Sequence, residues 1–224
     1  MLAKLVHGHI DPTRLGDASA AVESDLAPAF VAHPGARQGY WMANRASGHV
    51  LVVTGWSDRD AMEAEQAADG RERAAVAERL GLRIHAIGTM DVVASHEVAP
   101  TPDTVVHWVR ATWVEGVDPS ATQALGELHD QSVSDKAAGD GFCASYWLAD
   151  RLNGDGLALS MWSTPEHLHR SEAGSRRRRR AVERTLGCHL ALVGSYEAIG
   201  VVGNDQLDLR AQTAAMRPAR STVR

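Results

Sequence analysis

The stretch Gly35-Ala-Arg-Gln-Gly-Tyr-Trp41-Met-Ala-Asn-Arg45-Ala-Ser-Gly48 recurs 106 residues further on as Gly141-Phe-Cys-Ala-Ser-Tyr-Trp147-Leu-Ala-Asp-Arg151-Leu-Asn-Gly154. The same register carries Trp56-Ser57 onto Trp162-Ser163, Leu80-Gly81 onto Leu186-Gly187, and Gly88-Thr89-Met90-Asp91 onto Gly194-Ser195-Tyr196-Glu197. Over the 59 positions from 35 to 93, 17 are identical without a gap. Towards the N-terminus the offset becomes 107, where Ile10-Asp11-Pro12-Thr13 meets Val117-Asp118-Pro119-Ser120, so one residue has been gained or lost. Two copies of one module are the simplest reading.

Each copy reads as strand, helix, strand, strand, helix, strand. A first strand, Lys4 to Ile10 or Val105 to Val114, runs into an Asp-Pro turn that opens a helix, because Asp caps a first turn and Pro is tolerated inside it. Strands at about 37–44 and 49–56 flank Asn44-Arg-Ala-Ser-Gly48, whose Asn and Gly supply the backbone freedom of a tight hairpin. After Trp56, Ser57 is placed to cap a second helix that ends at Gly81, and a last strand covers about 83–93. This order is the ferredoxin-like split βαβ plan, an α+β class in which helices cover one face of a four-stranded sheet. Two such modules packed sheet to sheet cover each other's bare faces. The expected organisation is a first module at 1–97, a second at 98–205, a Pro-containing linker within 95–104 and a flexible tail at 206–224.

Composition excludes several classes. The chain has 224 residues, 44% hydrophobic and 23% charged, with a net charge of −5, which is the balance of a globular protein and not of a disordered one. No apolar run approaches the roughly 20 residues of a membrane helix, and the start lacks a secretory leader, so a cytoplasmic protein with no membrane partner is expected. Cys143 and Cys188 are too few for a disulfide framework and read as small buried apolar residues. His167 and His169 diverge on a helix and have no third ligand, so no metal site is expected. The Arg176 to Arg180 run has no interleaved aromatics and reads as a solvated helix face, with no nucleic-acid partner.

The run Pro34-Gly35 to Gly39-Tyr40, then Gly48-His-Val-Leu-Val-Val-Thr-Gly-Trp56-Ser57 with an acidic helix start after it, resembles the antibiotic biosynthesis monooxygenase superfamily, and Gly141, Trp162-Ser163 and Glu166 repeat the resemblance. It implies a dimeric α+β barrel, here as a tandem fusion in which one polypeptide supplies both halves, either as a monomeric pseudo-dimer or as a homodimer of it. Members include oxygenases that act on aromatic polyketide intermediates without metal or flavin, haem-degrading enzymes and enzymes acting on small signalling molecules. The resemblance implies a pocket role for the Trp that ends the third strand, hence Trp56 and Trp162. The Asn that the polyketide oxygenases carry four residues before that Trp is replaced by Val52 and Ala158. The helix His of the haem-degrading branch is replaced by Glu65-Gln66 and Ser171-Glu172, which disfavours haem.

Alternation along the strands nominates further residues. In one strand, Gly156, Ala158, Ser160 and Trp162 share a face opposite Leu157, Leu159 and Met161; the small face is expected to look into the barrel and leave the roomier cavity in the second half. The same logic groups Leu5, His7 and His9, and also Trp108, Arg110 and Thr112, while the last strands offer His85 and His189. The expected function is a monooxygenase-like protein needing no cofactor, acting on a small aromatic, polyketide or phenolic metabolite in the barrel cavity. One of His7, His9, His85 or His189 would be its base and Arg110 its anion stabiliser, with Trp56, Trp162, Trp108, Thr112, Ser160 and Ala158 as substrate contacts. The rival reading is a non-catalytic small-molecule binding or sensor protein with the same fold.

Overall fold

The computed structural model describes residues 1–99, 105–137, 139–150 and 152–203. The expected tail at 206–224 and the linker positions 100–104 lie outside them. The chain starts with β1 (Leu2–His9), which ends where the Asp11 carboxylate accepts a hydrogen bond from the Thr13 backbone N–H. The segment α1 (Leu15–Ala21) continues through a π-helical turn at Val22–Leu26 into α2 (Ala27–Ala32). Next come β2 (Ala36–Ala43), β3 (His49–Trp56), the long α3 (Arg59–Leu80) and β4 (Arg83–Glu97). The second half follows the same order, with β5 (Trp108–Glu115), α4 (Thr122–Ala137), β6 (Phe142–Ala149) and β7 (Gly156–Trp162). There the last helix is broken at Ser171 into α5 (Pro165–Arg170) and α6 (Glu172–Leu186), before β8 (His189–Val202).

The turn chemistry follows the side chains that the sequence supplies. Asn44 Oδ1 accepts from the Ala46 and Ser47 N–H groups and lets Gly48 close the β2–β3 hairpin at φ 73°. Asp150 and Gly154, at φ 78°, do the same between β6 and β7. The α3 cap is Asp58, whose carboxylate accepts from the Ala61 N–H, one residue beyond the Ser57 expected from the sequence. Both long helices stop at a left-handed glycine, Gly81 and Gly187.

All eight strands join one closed antiparallel barrel in the order β1-β3-β2-β8-β5-β7-β6-β4. Closure is continuous hydrogen bonding, and not the face-to-face stacking of two separate sheets. β4 pairs with β1 and then, from Asp91 to Glu97, with β6; β8 pairs with β5 and then with β2. This second pairing extends β4 to Glu97, past the 93 expected, because its partner lies across the barrel and leaves no local trace in the sequence. Among the described residues no helix is long and apolar enough to cross a membrane.

The barrel interior is filled. Leu5, Met42, Leu51 and Val53 from the first half meet Val109, Ala111, Leu148, Leu157, Leu159 and Met161 from the second in one buried apolar cluster. Tyr40 and Tyr146, 106 residues apart, meet inside it hydroxyl to hydroxyl at 2.9 Å, and Tyr146 also bonds Gln38 and Glu97. This reverses the expected faces of β7: Leu157, Leu159 and Met161 look into the barrel, and Ala158, Ser160 and Trp162 lie beneath the helices. An eight-stranded barrel has a lumen that side chains can just fill, and here the bulky apolar residues fill it, so close packing takes up the expected ligand space.

Candidate functional site

The space that the small residues leave is on the outer face of the second half, between the wall formed by β5, β6 and β7 and the helices α4 and α6. A partly open chamber of about 70 Å³ lies there, with Thr112, Ala158 and Ser160 on its floor. An outer cleft of about 750 Å³ adjoins it between the end of α4 and the α5–α6 pair, bordered by Trp162, His167 and Gly174. Lys136 and Arg178 line both spaces and stand at the partition between them.

The chamber wall is cationic. Arg110 is 3% exposed on β5, and the break between α5 and α6 presents its partners. Its guanidinium donates to Ser171 Oγ and Ser175 Oγ, both at 2.8 Å, and to the Leu168 carbonyl at 2.7 Å, and it pairs with Glu172 at 3.0 Å. Glu172 also accepts from Arg179 at 2.7 Å. Burial works to raise the Glu172 carboxyl, but the Arg179 hydrogen bond and the charges of Arg110, Arg179 and Arg176 bring it below its ordinary value. Arg178 bonds Ser175 and, at 3.4 Å, Asp135. The arginine run is therefore not uniformly solvated: Arg176 is exposed, while Arg178 and Arg179 turn inward on the face that also carries Ser175, Val182 and Leu186.

Lys136 projects from the last turn of α4, its Nζ 3.3 Å from Ser145 Oγ and 6.0 Å from the centre of the Phe142 ring. Burial, with the positive charges of Arg178 and Arg110 nearby, lowers its pKa to about 7, so both protonation states are populated at neutral pH. His129, one helical stretch earlier, is buried and 3.4 Å from the Ser145 carbonyl, and burial lowers its pKa as well. Among the described residues, two buried donors of this wall have no hydrogen-bond partner, Arg179 Nη1 and the indole N–H of Trp147. Unpaired buried donors are costly, and a site that awaits an acceptor is one of the few reasons to keep them.

The sequence-nominated residues separate into three places. Arg110, Thr112, Ala158 and Ser160 line the chamber, and Trp162 borders the outer cleft. Trp162 and Trp108 pack with Phe142 and Leu168, and the Trp162 indole N–H reaches Ser160 Oγ at 3.4 Å. Trp56 is fully buried under the first-half helices, edge-on to Phe30 and bonded to Thr54, so it packs the core and lines neither the chamber nor the outer cleft. His7, His9 and His85 gather instead at one end of the barrel, where His7 stacks on His49 at 5.6 Å and lies 6.1 Å from Trp113. They are on the lumen side of the wall and Arg110 is on its outer side, so no base–anion pair of the kind expected from alternation forms between them. Among the described residues, no three His, Cys, Asp or Glu side chains are placed to hold a metal ion. His189 is exposed at the start of β8.

Lys136, His129 and Ser145 escaped the strand-based reading because two of them are on a helix. Their signal was present: Leu125, His129, Val133 and Lys136 recur every three or four residues, which sets Lys136 on the same face of α4 as the buried Leu125, His129 and Val133.

No family model and no curated protein matches the sequence. Solved structures do match the fold. A proposed monooxygenase from Fusobacterium nucleatum superposes with a TM-score of 0.64 at 11% identity, covering 90% of this chain and 94% of its own. A proposed monooxygenase from Lactobacillus acidophilus gives 0.64 at 9% identity, with 91% and 96% covered. An anthrone oxidase-like protein gives 0.61 at 16% identity, with 91% and 93% covered. The chain thus has the α+β barrel fold of these monooxygenase-like proteins, the architecture that its sequence resemblance to the antibiotic biosynthesis monooxygenases implies.

Proposed function

We propose that this chain is a tandem two-module monooxygenase-like enzyme that oxidises a small phenolic or polyketide-type aromatic without metal or flavin, in the helix-covered cavity of its second half. The observation that carries the reading is Lys136, an amine with a pKa of about 7 at the partition between a cationic chamber and a cleft large enough for an aromatic body. The anthrone oxidase-like neighbour supports this class of substrate.

Such chemistry draws its electrons from the substrate. Neutral Lys136 takes the proton of a phenolic or enolic hydroxyl, and the resulting ammonium stays beside the oxyanion. Arg178 and Arg110 add positive charge where the anion and the reduced oxygen develop, in a site whose buried cations need no reorganisation. The electron-rich carbanion reduces dioxygen, so that a methylene and O₂ become a carbonyl and one water. Trp162, which lines the cleft, supplies an aromatic wall.

The test is oxygen uptake by the purified full-length chain with a panel of hydroxylated anthrones and phenols in metal-free, flavin-free buffer. Turnover above the spontaneous rate, lost in Lys136→Met, is expected. If no compound in the panel reacts faster than its own autoxidation, the enzyme reading is wrong.

A further inference from the structure

The chamber and the cleft differ in size by an order of magnitude, and that difference constrains what can enter. The inner chamber, about 70 Å³, has the volume of roughly two waters at about 30 Å³ each and is well below the ~150 Å³ that a dry protein cavity needs for a benzene ring. An aromatic body therefore stays in the outer cleft of about 750 Å³, and only a small substituent passes Lys136 and Arg178.

The chemistry of the inner wall selects that substituent. Four basic side chains, Arg110, Lys136, Arg178 and Arg179, face two carboxylates, those of Glu172 and Asp135. His129 is held neutral by burial. With Lys136 neutral the wall has an excess of one positive charge, and with Lys136 protonated an excess of two. Among the described residues, Arg179 Nη1 and Trp147 Nε1 are donors without an acceptor. A donor-rich, acceptor-poor chamber of this volume fits a planar group with two acceptor oxygens and one negative charge.

Resting on the reading above, we propose that the inner chamber is a carboxylate subsite and that the substrate is an aromatic hydroxy acid, with its carboxylate inside and its hydroxyl at Lys136. The charge count then balances at each stage. The carboxylate matches the single excess charge before proton transfer. The carboxylate and phenolate together match the two excess charges once Lys136 has taken the hydroxyl proton.

The probe is 2-hydroxybenzoate compared with 2-hydroxybenzamide, which keeps the ring and the hydroxyl but loses the charge. Binding to the full-length chain is followed by titration calorimetry at pH 7 and 0.15 M salt. The acid is expected to bind at least tenfold more tightly than the amide. Ala158→Leu, which fills the chamber floor without touching a charge, should abolish that preference, with folding checked by circular dichroism. Equal affinities in the wild type overturn the proposal and need no variant to do so. A preference that survives Ala158→Leu also overturns it, since exposed arginines such as Arg176 would then be the anion site. The two readings fail separately: acid-selective binding without oxygen uptake removes the enzyme and keeps the subsite, whereas oxidation of neutral phenols with no acid preference does the reverse.

Discussion

Replacing Lys136 with Met should make the protein more stable while removing its function, and the size of the gain should depend on pH in one direction only. The ammonium is pushed from its ordinary 10.5 to about 7, mainly by burial, and each unit corresponds to about 1.4 kcal/mol. Taken at face value the charged form costs about 5 kcal/mol, a ceiling that water penetration and local relaxation cut to about 2 kcal/mol. The contact with the Phe142 ring, at 6.0 Å, offsets less than about 1 kcal/mol of this. Below pH 7 both folded and unfolded chains hold the proton and the cost is fully present. Between about 7 and 10.5 the unfolded chain holds it and the folded chain releases it, so wild-type stability rises with pH across that window and the advantage of the variant shrinks to nothing. Lys4, also lowered to about 8 by burial and by Arg73, titrates identically in both proteins and cancels in the difference. Urea unfolding at pH 6, 8 and 10 measures the gap, and a melting temperature about 4–8 °C higher at pH 6 is expected for a chain of this length. A variant that is less stable than wild type at pH 6, or a gap that does not close by pH 10, would refute the assignment of Lys136 as a buried amine held against its solvation.

Three further outcomes follow from the packing. Tyr146→Phe removes the hydroxyl that joins Tyr40, Gln38 and Glu97 inside the barrel and should cost about 1–2 kcal/mol in denaturant unfolding; a loss under 0.3 kcal/mol would show that the lumen network is not satisfied as described. Glu172→Gln leaves the buried Arg110 without its counter-charge and should cost about 3 kcal/mol, while Arg176→Met, which removes an exposed contact to the same carboxylate, should cost less than about 0.5 kcal/mol. Similar losses for the two would mean that the Arg110 pair is not buried. Gly154 and Gly187 both have positive φ, but a Cβ on Gly154 meets the Val117 backbone and one on Gly187 meets open space. Thermal melts should therefore place Gly187→Ala about 1 kcal/mol and Gly154→Ala at least about 2 kcal/mol below wild type, and the reverse order would contradict the turn geometry.

What the sequence made legible is what depends on local chemistry. Asp11 and Asp118, the Asn44 to Gly48 hairpin and the stops at Gly81 and Gly187 all rest on a side chain or a glycine acting within a few residues. Strand alternation also divided β7 correctly into a bulky set and a small set. It could not say which set faces inward, because period two has no sign, and the sign was set by barrel closure. The extension of β4 to Glu97 and the burial of Arg178 and Arg179 were hidden for the same reason: their partners come from distant segments. The Arg176 to Arg180 run reads as uniform charge in one dimension, and only the helical period anchored at Leu186 separates its inward from its outward members.

The same register that revealed the repeat shows how one half came to differ from the other. Lys4, Gln66 and Arg73 stand 106 positions before Arg110, Glu172 and Arg179, and both sets form a network of two cations around an acceptor under the second helix. In the first half the unbroken α3 brings Glu65 into that network, where it pairs with Arg73 and, at 3.8 Å, with Lys4. Phe30, Trp41 and Trp56 fill the neighbouring space. In the second half Ser171 occupies the place of Glu65 and Glu172 that of Gln66, so the single carboxylate shifts by one position, and the helix is broken at Ser171. Ala158 and Ser160 stand where Val52 and Thr54 stand, which shortens the floor. Losing wall volume there, while adding Lys136 from α4 and Arg178 from α6, turns a filled network into a hollow with more positive charge. Substitutions made only to keep a core packed would not remove its bulk and add inward-facing cations together. Their coincidence in the second half is the physical reason for placing function there.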